Sequence, residues 1–364
     1  MPDPLGVGMI GCGMIGQIHA AELAHLVDDG DVRAVAAADP SEDARAAANR
    51  NCRFERLYAH GQQVIDDREV EAVLIATPTA SHRDLVLATL ASGKPLLCEK
   101  PLAPSFETVR ELYDAVAASG LTAQVGLLTR WHYLASRLHE LVTTRELGRP
   151  MGYMLRDDQY WPTGQIVPGH SSWRSRRAIA GGGALLEHTI HGIDLACWMF
   201  GPAVRVWGRT RAVFGYDVED VAALTVEHAD GTIGSIVTVF SGVRGREETR
   251  LEVFFEHATV ETTIGFLVGA DEDGFLLQRA DSPPERPDLA AMRDEHFTRL
   301  GITRRDFFFP TYPADRAWVH AVRAGAPASP GFDDALRAHA VIEAAYRAAA
   351  TGEPVDLVAE LAVP

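Results

Sequence analysis

The chain has 364 residues, 47% hydrophobic and 23% charged, with a formal net charge of −16; this suits about two globular domains whose cores need no disulfide or metal. So acidic a chain repels phosphate backbones and anionic membranes, which argues against nucleic-acid and membrane partners, and no run approaches the roughly 18 consecutive apolar residues of a membrane span. Four scattered cysteines (Cys12, Cys52, Cys98, Cys197) and an N-terminus without a basic and then apolar leader predict a reduced, cytoplasmic protein.

The first 128 residues alternate strand and helix patterns. An apolar run at 7–11 ends in glycines and precedes a helical stretch over 16–26. Strand-like runs follow at 32–39, 71–77, 95–100 and 122–128, with helices near 42–49, 81–92 and 105–119, the last capped by Ser105. This alternation predicts an α/β fold over residues 1–125, with a doubly wound parallel sheet.

Beyond residue 128 the texture changes. A helix near 130–144 leads into polar, aromatic loops between 157 and 177. Three glycines at 181–183 open a helix to about residue 200. Long β patterns at 204–213, 221–227, 232–240 and 250–264 predict a mostly antiparallel open sheet, so residues 126–364 read as a second, α+β domain. A Pro- and charge-rich loop at 281–310 and closing helices at 315–324 and 333–351 complete it.

Gly11-Cys12-Gly13-Met14-Ile15-Gly16 is a GxGxxG placed after a strand and opening a helix, the context a dinucleotide-binding loop requires. Gly11 permits the tight turn, Gly13 the approach of a pyrophosphate, and Gly16 close packing of helix on strand. Met14 and Ile15 belong to the same loop. Backbone N–H groups there hold a phosphate despite the acidic chain. Asp39, 23 residues past Gly16, stands where a carboxylate binds ribose hydroxyls and repels a 2′-phosphate. Pro40 and Ser41 offer no cation for that phosphate, so NAD is favoured over NADP. Without a cofactor, Asp39 would be a helix cap.

Of the 34 basic residues only Lys94 and Lys100 are lysines. Lysine can give up a proton near neutral pH and arginine cannot, so each one is informative. Lys94, in Ser-Gly-Lys-Pro, reads as a turn residue. Lys100, in Cys98-Glu99-Lys100-Pro101, ends a predicted parallel strand, where such sheets bind ligands. In 181–198 (GGGALLEHTIHGIDLACW), Glu187, His191 and Asp194 share one helical face. An imidazole beside a carboxylate is a general-base arrangement, and His188 lies further round. Core packing is the second reading; a metal on Glu187, His188 and His191 is a distant third, for want of a second ligand cluster.

Together these residues resemble the glucose–fructose oxidoreductase / inositol dehydrogenase (Gfo/Idh/MocA) family. The resemblance runs through GCGMIG (11–16), ADP (38–40), ATPTASH (76–82), CEKP (98–101), QVGLLTRW (124–131), SWR (172–174), GGGALLEHTIHGID (181–194) and TGEPV (351–355). It implies a Rossmann domain and an α/β domain whose open sheet assembles homodimers or homotetramers. It implies that Lys100 and His191 are catalytic, that Thr77, Pro78, His82 and Glu99 lie along the cofactor, and that Trp173 and Arg174 lie near its nicotinamide end. The family commonly has Asp where this chain has Glu187. The implied activity is NAD-dependent hydride transfer from a sugar, cyclitol or glycoside hydroxyl, with Glu187 orienting His191 or relaying the proton. Asp157, Asp158, Gln159, Tyr160, His170, His188 and Asp194 are candidate hydroxyl contacts, although 157–170 reads equally as a polar loop. The family also holds NAD-using glycosidases, which oxidise a sugar transiently, and co-regulators that have lost catalysis.

Overall fold

The computed structural model describes residues 3–161, 172–243, 248–265, 273–304, 306–307 and 310–358. Its first half alternates as expected and adds a strand and a helix, β3 and α3, that the sequence pattern did not announce: β1 (Leu5–Ile10), α1 (Met14–Asp28), β2 (Val32–Ala38), α2 (Glu42–Asn51), β3 (Arg56–Tyr58), α3 (Gly61–Asp66), β4 (Ala72–Ile75), α4 (His82–Ala91), β5 (Leu96–Cys98), α5 (Phe106–Ser119) and β6 (Ala123–Val125). The strands are parallel, in the order β3-β2-β1-β4-β5-β6. β1, β4 and β5 are buried along their whole length, as strands covered on both faces must be. Ser105 caps α5 as expected, accepting from the Thr108 N–H at 3.3 Å.

The remaining elements are α6 (Tyr133–Thr144), β7 (Pro150–Tyr160), α7 (Arg177–Ala180), α8 (Ile190–Phe200), β8 (Ala203–Arg211), β9 (Val221–His228), β10 (Ile233–Ser241), β11 (Glu248–Phe255), β12 (Ala258–Gly265), β13 (Gly274–Arg279), α9 (Leu289–Arg299), α10 (Thr311–Ala324), α11 (Phe332–Thr351) and β14 (Val355–Asp356). Eight of these strands form one sheet, β13-β12-β11-β7-β10-β9-β8-β14. Every neighbouring pair is antiparallel except β10 with β7. Burial alternates along β9 and β10, so one face packs inward and the other carries exposed Trp207, Val237, Met154 and Ile233. On the inner face a Cβ at Gly192 of α8 would press on the Leu155 side chain of β7, which explains glycine there.

Four expectations are corrected. The pattern at 250–264 is a hairpin, β11 and β12, turning at Glu256–His257. Residues 281–310 contain a helix, α9, capped by Asp288. β7 occupies residues read as loop from 157 onward. The helix after the triple glycine is a π turn over Ala184–His188 followed by α8. The chain divides into two units: Met1–Trp131 with Thr303–Ala335, and His132–Ile302 with Leu336–Pro364. α10 therefore belongs to the first unit, whereas a boundary after residue 125 assigns it to the second. No described helix is long and apolar enough to cross a membrane.

Candidate active site

The first unit shapes its glycine loop with backbone. Gly11 has φ +96°, and its N–H donates to the Ala38 carbonyl at 2.8 Å; a Cβ there would strike the Ala76 carbonyl. A Cβ on Gly16 would overlap the Gly11 carbonyl oxygen. The protein's own packing thus demands both glycines. Gly13 differs, because a Cβ there would meet nothing within 4 Å. It caps α1 with no side-chain hydrogen bond. The open approach to the first N–H groups of α1, with Met14 and Ile15 half-buried on that turn, has no packing cause and fits an incoming phosphate.

Asp39 closes the loop from the end of β2. Its Oδ2 accepts the Cys12 N–H at 2.9 Å and its Oδ1 the Ser41 N–H at 2.8 Å. Arg45, which no sequence motif marks, donates from its guanidinium to the Asp39 carbonyl at 2.5 Å and the Pro40 carbonyl at 3.3 Å. His82 is buried and bridges two loops: Nε2 is 2.8 Å from the Thr77 carbonyl and Nδ1 is 2.8 Å from the Pro101 carbonyl. Thr77 and Pro78 lie on the turn after β4. Lys94 is a turn anchor, donating to the Ile65 and Asp67 carbonyls at 2.5 and 2.7 Å. Lys100 follows β5 directly, half-buried, and its peptide bond to Pro101 is cis. Glu99 is buried, and its Oε2 accepts the Lys100 N–H at 3.1 Å.

In the second unit the triple-glycine turn hangs on a residue the sequence reading passed over. Glu219 accepts the Gly183 N–H at 2.9 Å, the Leu185 N–H at 3.1 Å and the Tyr346 hydroxyl at 2.9 Å. A Cβ on Gly183 would collide with the Glu219 backbone, and one on Gly182 with Tyr346. Burial pushes the Glu219 carboxyl above its ordinary range, against the pull of those donors.

Beyond the turn, Glu187, His188, His191 and Asp194 are all at least nine-tenths buried. Glu187 Oε1 accepts from Arg174 Nε at 2.7 Å, and the guanidinium carbon of Arg174 stands 4.4 Å from the Trp173 ring centroid. Two expected hydroxyl contacts meet each other, with His188 Nε2 3.1 Å from Asp157 Oδ1. That oxygen also accepts from Thr249 Oγ1 at 2.7 Å. Burial raises the Asp157 carboxyl, but the charge and hydrogen bond of His188, with the threonine hydroxyls, hold it below the ordinary range. Asp158 pairs with Arg156. Gln159 and Tyr160 are half-buried at the end of β7. His170 lies outside the described residues. The π turn ends between Glu187 and His191, so their spacing is not that of a regular α-helix; such turns recur at functional sites. Among the described residues no three His, Cys, Asp or Glu side chains group to hold a metal ion.

Two family models match the chain: the GFO/IDH/MocA "Oxidoreductase family, NAD-binding Rossmann fold" over residues 5–127, and the "GFO/IDH/MocA C-terminal domain" over residues 135–261. Inositol 2-dehydrogenase of Acidothermus cellulolyticus (strain ATCC 43068 / DSM 8971 / 11B) is 30% identical, over 70% of this chain and 71% of its own. Inositol 2-dehydrogenase 2 of Paenarthrobacter aurescens (strain TC1) is 29% identical, over 94% and 95%. Levoglucosan dehydrogenase, solved in complex with NADH and L-sorbose, shares the fold with a TM-score of 0.83 at 23% identity, over 99% of each chain. The chain belongs to the GFO/IDH/MocA family of oxidoreductases. It is an NAD-binding oxidoreductase, and the bare Gly13 with the doubly tethered Asp39 fits that cofactor.

Proposed function

We propose that this protein is a dehydrogenase for a secondary hydroxyl of a small polyol: a sugar, cyclitol or glycoside. The observation that carries this reading is Lys100 at the carboxyl end of β5, in the parallel sheet that bears the glycine loop. The names of the inositol dehydrogenase relatives support the substrate class. Bound NAD supplies the hydride acceptor. Gly11, Gly13, Met14, Ile15, Gly16 and Asp39 hold its phosphates and ribose in this reading. Thr77, Pro78, His82 and Glu99 line it, and Trp173 and Arg174 stand toward the nicotinamide. His191 removes the hydroxyl proton, and Lys100 donates a hydrogen bond to the same oxygen, stabilising its developing negative charge. Glu187 supports the imidazole. Asp157, Gln159, Tyr160, His188 and Asp194 are the candidate hydroxyl contacts.

The experiment is to release and identify any nucleotide in the purified protein, then screen polyols and glycosides by NADH absorbance. Lys100→Ala should lower turnover on the order of 10²- to 10³-fold while NAD still binds. Full turnover in that variant sinks the assignment. Cleavage of a chromogenic glycoside without net NADH would redirect the reading to a glycosidase.

The same reading includes a homodimer or homotetramer assembled through the open sheet. Its support is the outward Trp207, Val237, Met154 and Ile233. A monomer in sedimentation at micromolar concentration refutes it.

A further inference from the structure

The helix that follows the glycine loop, the segment Glu99–Lys100 just past β5, and α10 meet at one buried imidazole in the first unit. His19, on α1, is 2% exposed. Its Nδ1 lies 2.8 Å from Asp315 Oδ2 on α10, and its Nε2 lies 3.1 Å from Glu99 Oε1. The second oxygen of Glu99 accepts the backbone N–H of Lys100. Asp315 and Glu99 are themselves buried, at 0% and 5% exposure. The chain also makes room for the arrangement, since a Cβ at Gly126, just past β6, would overlap the Glu99 carboxylate.

Buried carboxylates need a cation or a proton. A protonated His19 answers both, donating one N–H to each. Burial lowers the affinity of His19 for its second proton, but the charge and hydrogen bonds of Asp315 and Glu99 more than reverse this and push it up to about 10. These two carboxylates, one from α10 and one from the end of β5, are the charged groups that act on it.

We propose that His19 and Asp315 are positioning residues for Lys100, fixing the peptide at the end of β5 through Glu99 and tying it to the helix that opens at the glycine loop. The inference rests on Lys100 acting at the reacting oxygen. No contact of His19 or Asp315 with substrate or cofactor is involved. Their effect passes through the Glu99 carboxylate, which has one oxygen on the imidazole and the other on the Lys100 N–H. Removing Asp315's charge leaves one carboxylate on His19. The imidazole then loses its second proton at lower pH than in wild type, and once neutral it offers Glu99 an uncharged N–H in place of an imidazolium, a weaker tie.

The test compares wild type, Asp315→Asn, Asp315→Glu and Lys100→Ala. In wild type, ¹H–¹⁵N spectra of the apo protein should show His19 protonated at both nitrogens up to about pH 9, below its raised value. In Asp315→Asn that signal should titrate at distinctly lower pH than in wild type, because one of the two carboxylates that raise it is gone. NAD affinity should stay within about twofold, and kcat should fall roughly tenfold or more, as displaced catalytic groups do. The pH profile of kcat should gain a limb that wild type lacks, and Asp315→Glu should restore most of the rate. A neutral His19 in wild type overturns the proposal. So does an Asp315→Asn protein with lower thermal stability but wild-type kcat, KM and pH profile, because that is the behaviour of a merely structural tie. If Asp315→Asn does not fold, the spectra of wild type and the kcat and pH profile of His19→Gln decide by the same criteria. An active Lys100→Ala removes the reading beneath the proposal and the proposal with it. An inactive Lys100→Ala beside an unaltered Asp315→Asn removes the proposal alone.

Discussion

Arg174 donates through Nε to Glu187 Oε1 at 2.7 Å, with the two side chains 13% and 6% exposed. The carboxylate that the sequence places beside His191 is therefore neutralised from outside its own helix. Truncating Arg174 to Ala leaves a buried charge without its guanidinium, and the partial exposure of Arg174 trims the loss. Unfolding in urea should show about 3 kcal/mol lower stability, with Arg174→Lys in between, since lysine keeps the charge but not the fork. An unchanged midpoint would show that the Arg174 pair adds nothing to stability.

Gly13 and Gly16 should part company when each is changed to alanine. At Gly13 a Cβ touches no protein atom within 4 Å, so the melting temperature should hold while the Kd for NAD rises on the order of tenfold or more. At Gly16 the Cβ runs into the Gly11 carbonyl, so stability should fall by about 1–3 kcal/mol, as overpacking does. Calorimetric titration with NAD and thermal melts separate the two.

Glu219 is the anchor of the triple-glycine turn. Glu219→Gln keeps its volume and can keep an oxygen toward the Leu185 N–H and the Tyr346 hydroxyl, but it puts an NH2 donor against the Gly183 N–H where Oε2 accepts at 3.0 Å. We expect a loss of about 2 kcal/mol, and about 1 kcal/mol for Tyr346→Phe, which removes one hydrogen bond. Equal effects from both changes would show that the hydroxyl carries the anchor.

His19 makes stability depend on alkaline pH. Its folded-state value is raised to about 10 from 6.5, so its contribution is complete below pH 6.5, shrinks above it, and is gone past pH 10. Melting temperature should therefore decline from about pH 7 to about pH 10, and His19→Gln should flatten that decline. A parallel decline in the variant would assign the slope to other groups.

Five strands of the first sheet were readable because their signals are local: apolar runs of strand length, a glycine loop between β1 and α1, and Ser105 at its cap; the edge strand β3, three residues with none fully buried, carries no such run. The second domain was less so. β7 ends in Arg156-Asp157-Asp158-Gln159-Tyr160, whose polar side chains face partners on other elements, such as His188 and Thr249, so the segment looks like loop. The hairpin at Glu256–His257 has no glycine, asparagine or proline to announce its turn. The π turn leaves no periodicity to read. Lys100, Glu187 and His191 stood out by residue type and spacing. Their supports did not: Glu219 meets Gly183 across 36 residues, and Asp315 meets His19 across 296. Nothing in a local pattern marks such partners.

The return of residues 303–335 to the first unit also sets an order of assembly. The six parallel strands have all been synthesised by Val125, yet His19 and Glu99 then still lack the carboxylate of Asp315. At ordinary synthesis rates the rest of that unit arrives roughly 200 residues and about 10–40 s later. In the interval the nascent nucleotide domain holds a histidine and a glutamate whose third partner is not yet made, and release of a fragment ending near Trp131 would leave it so.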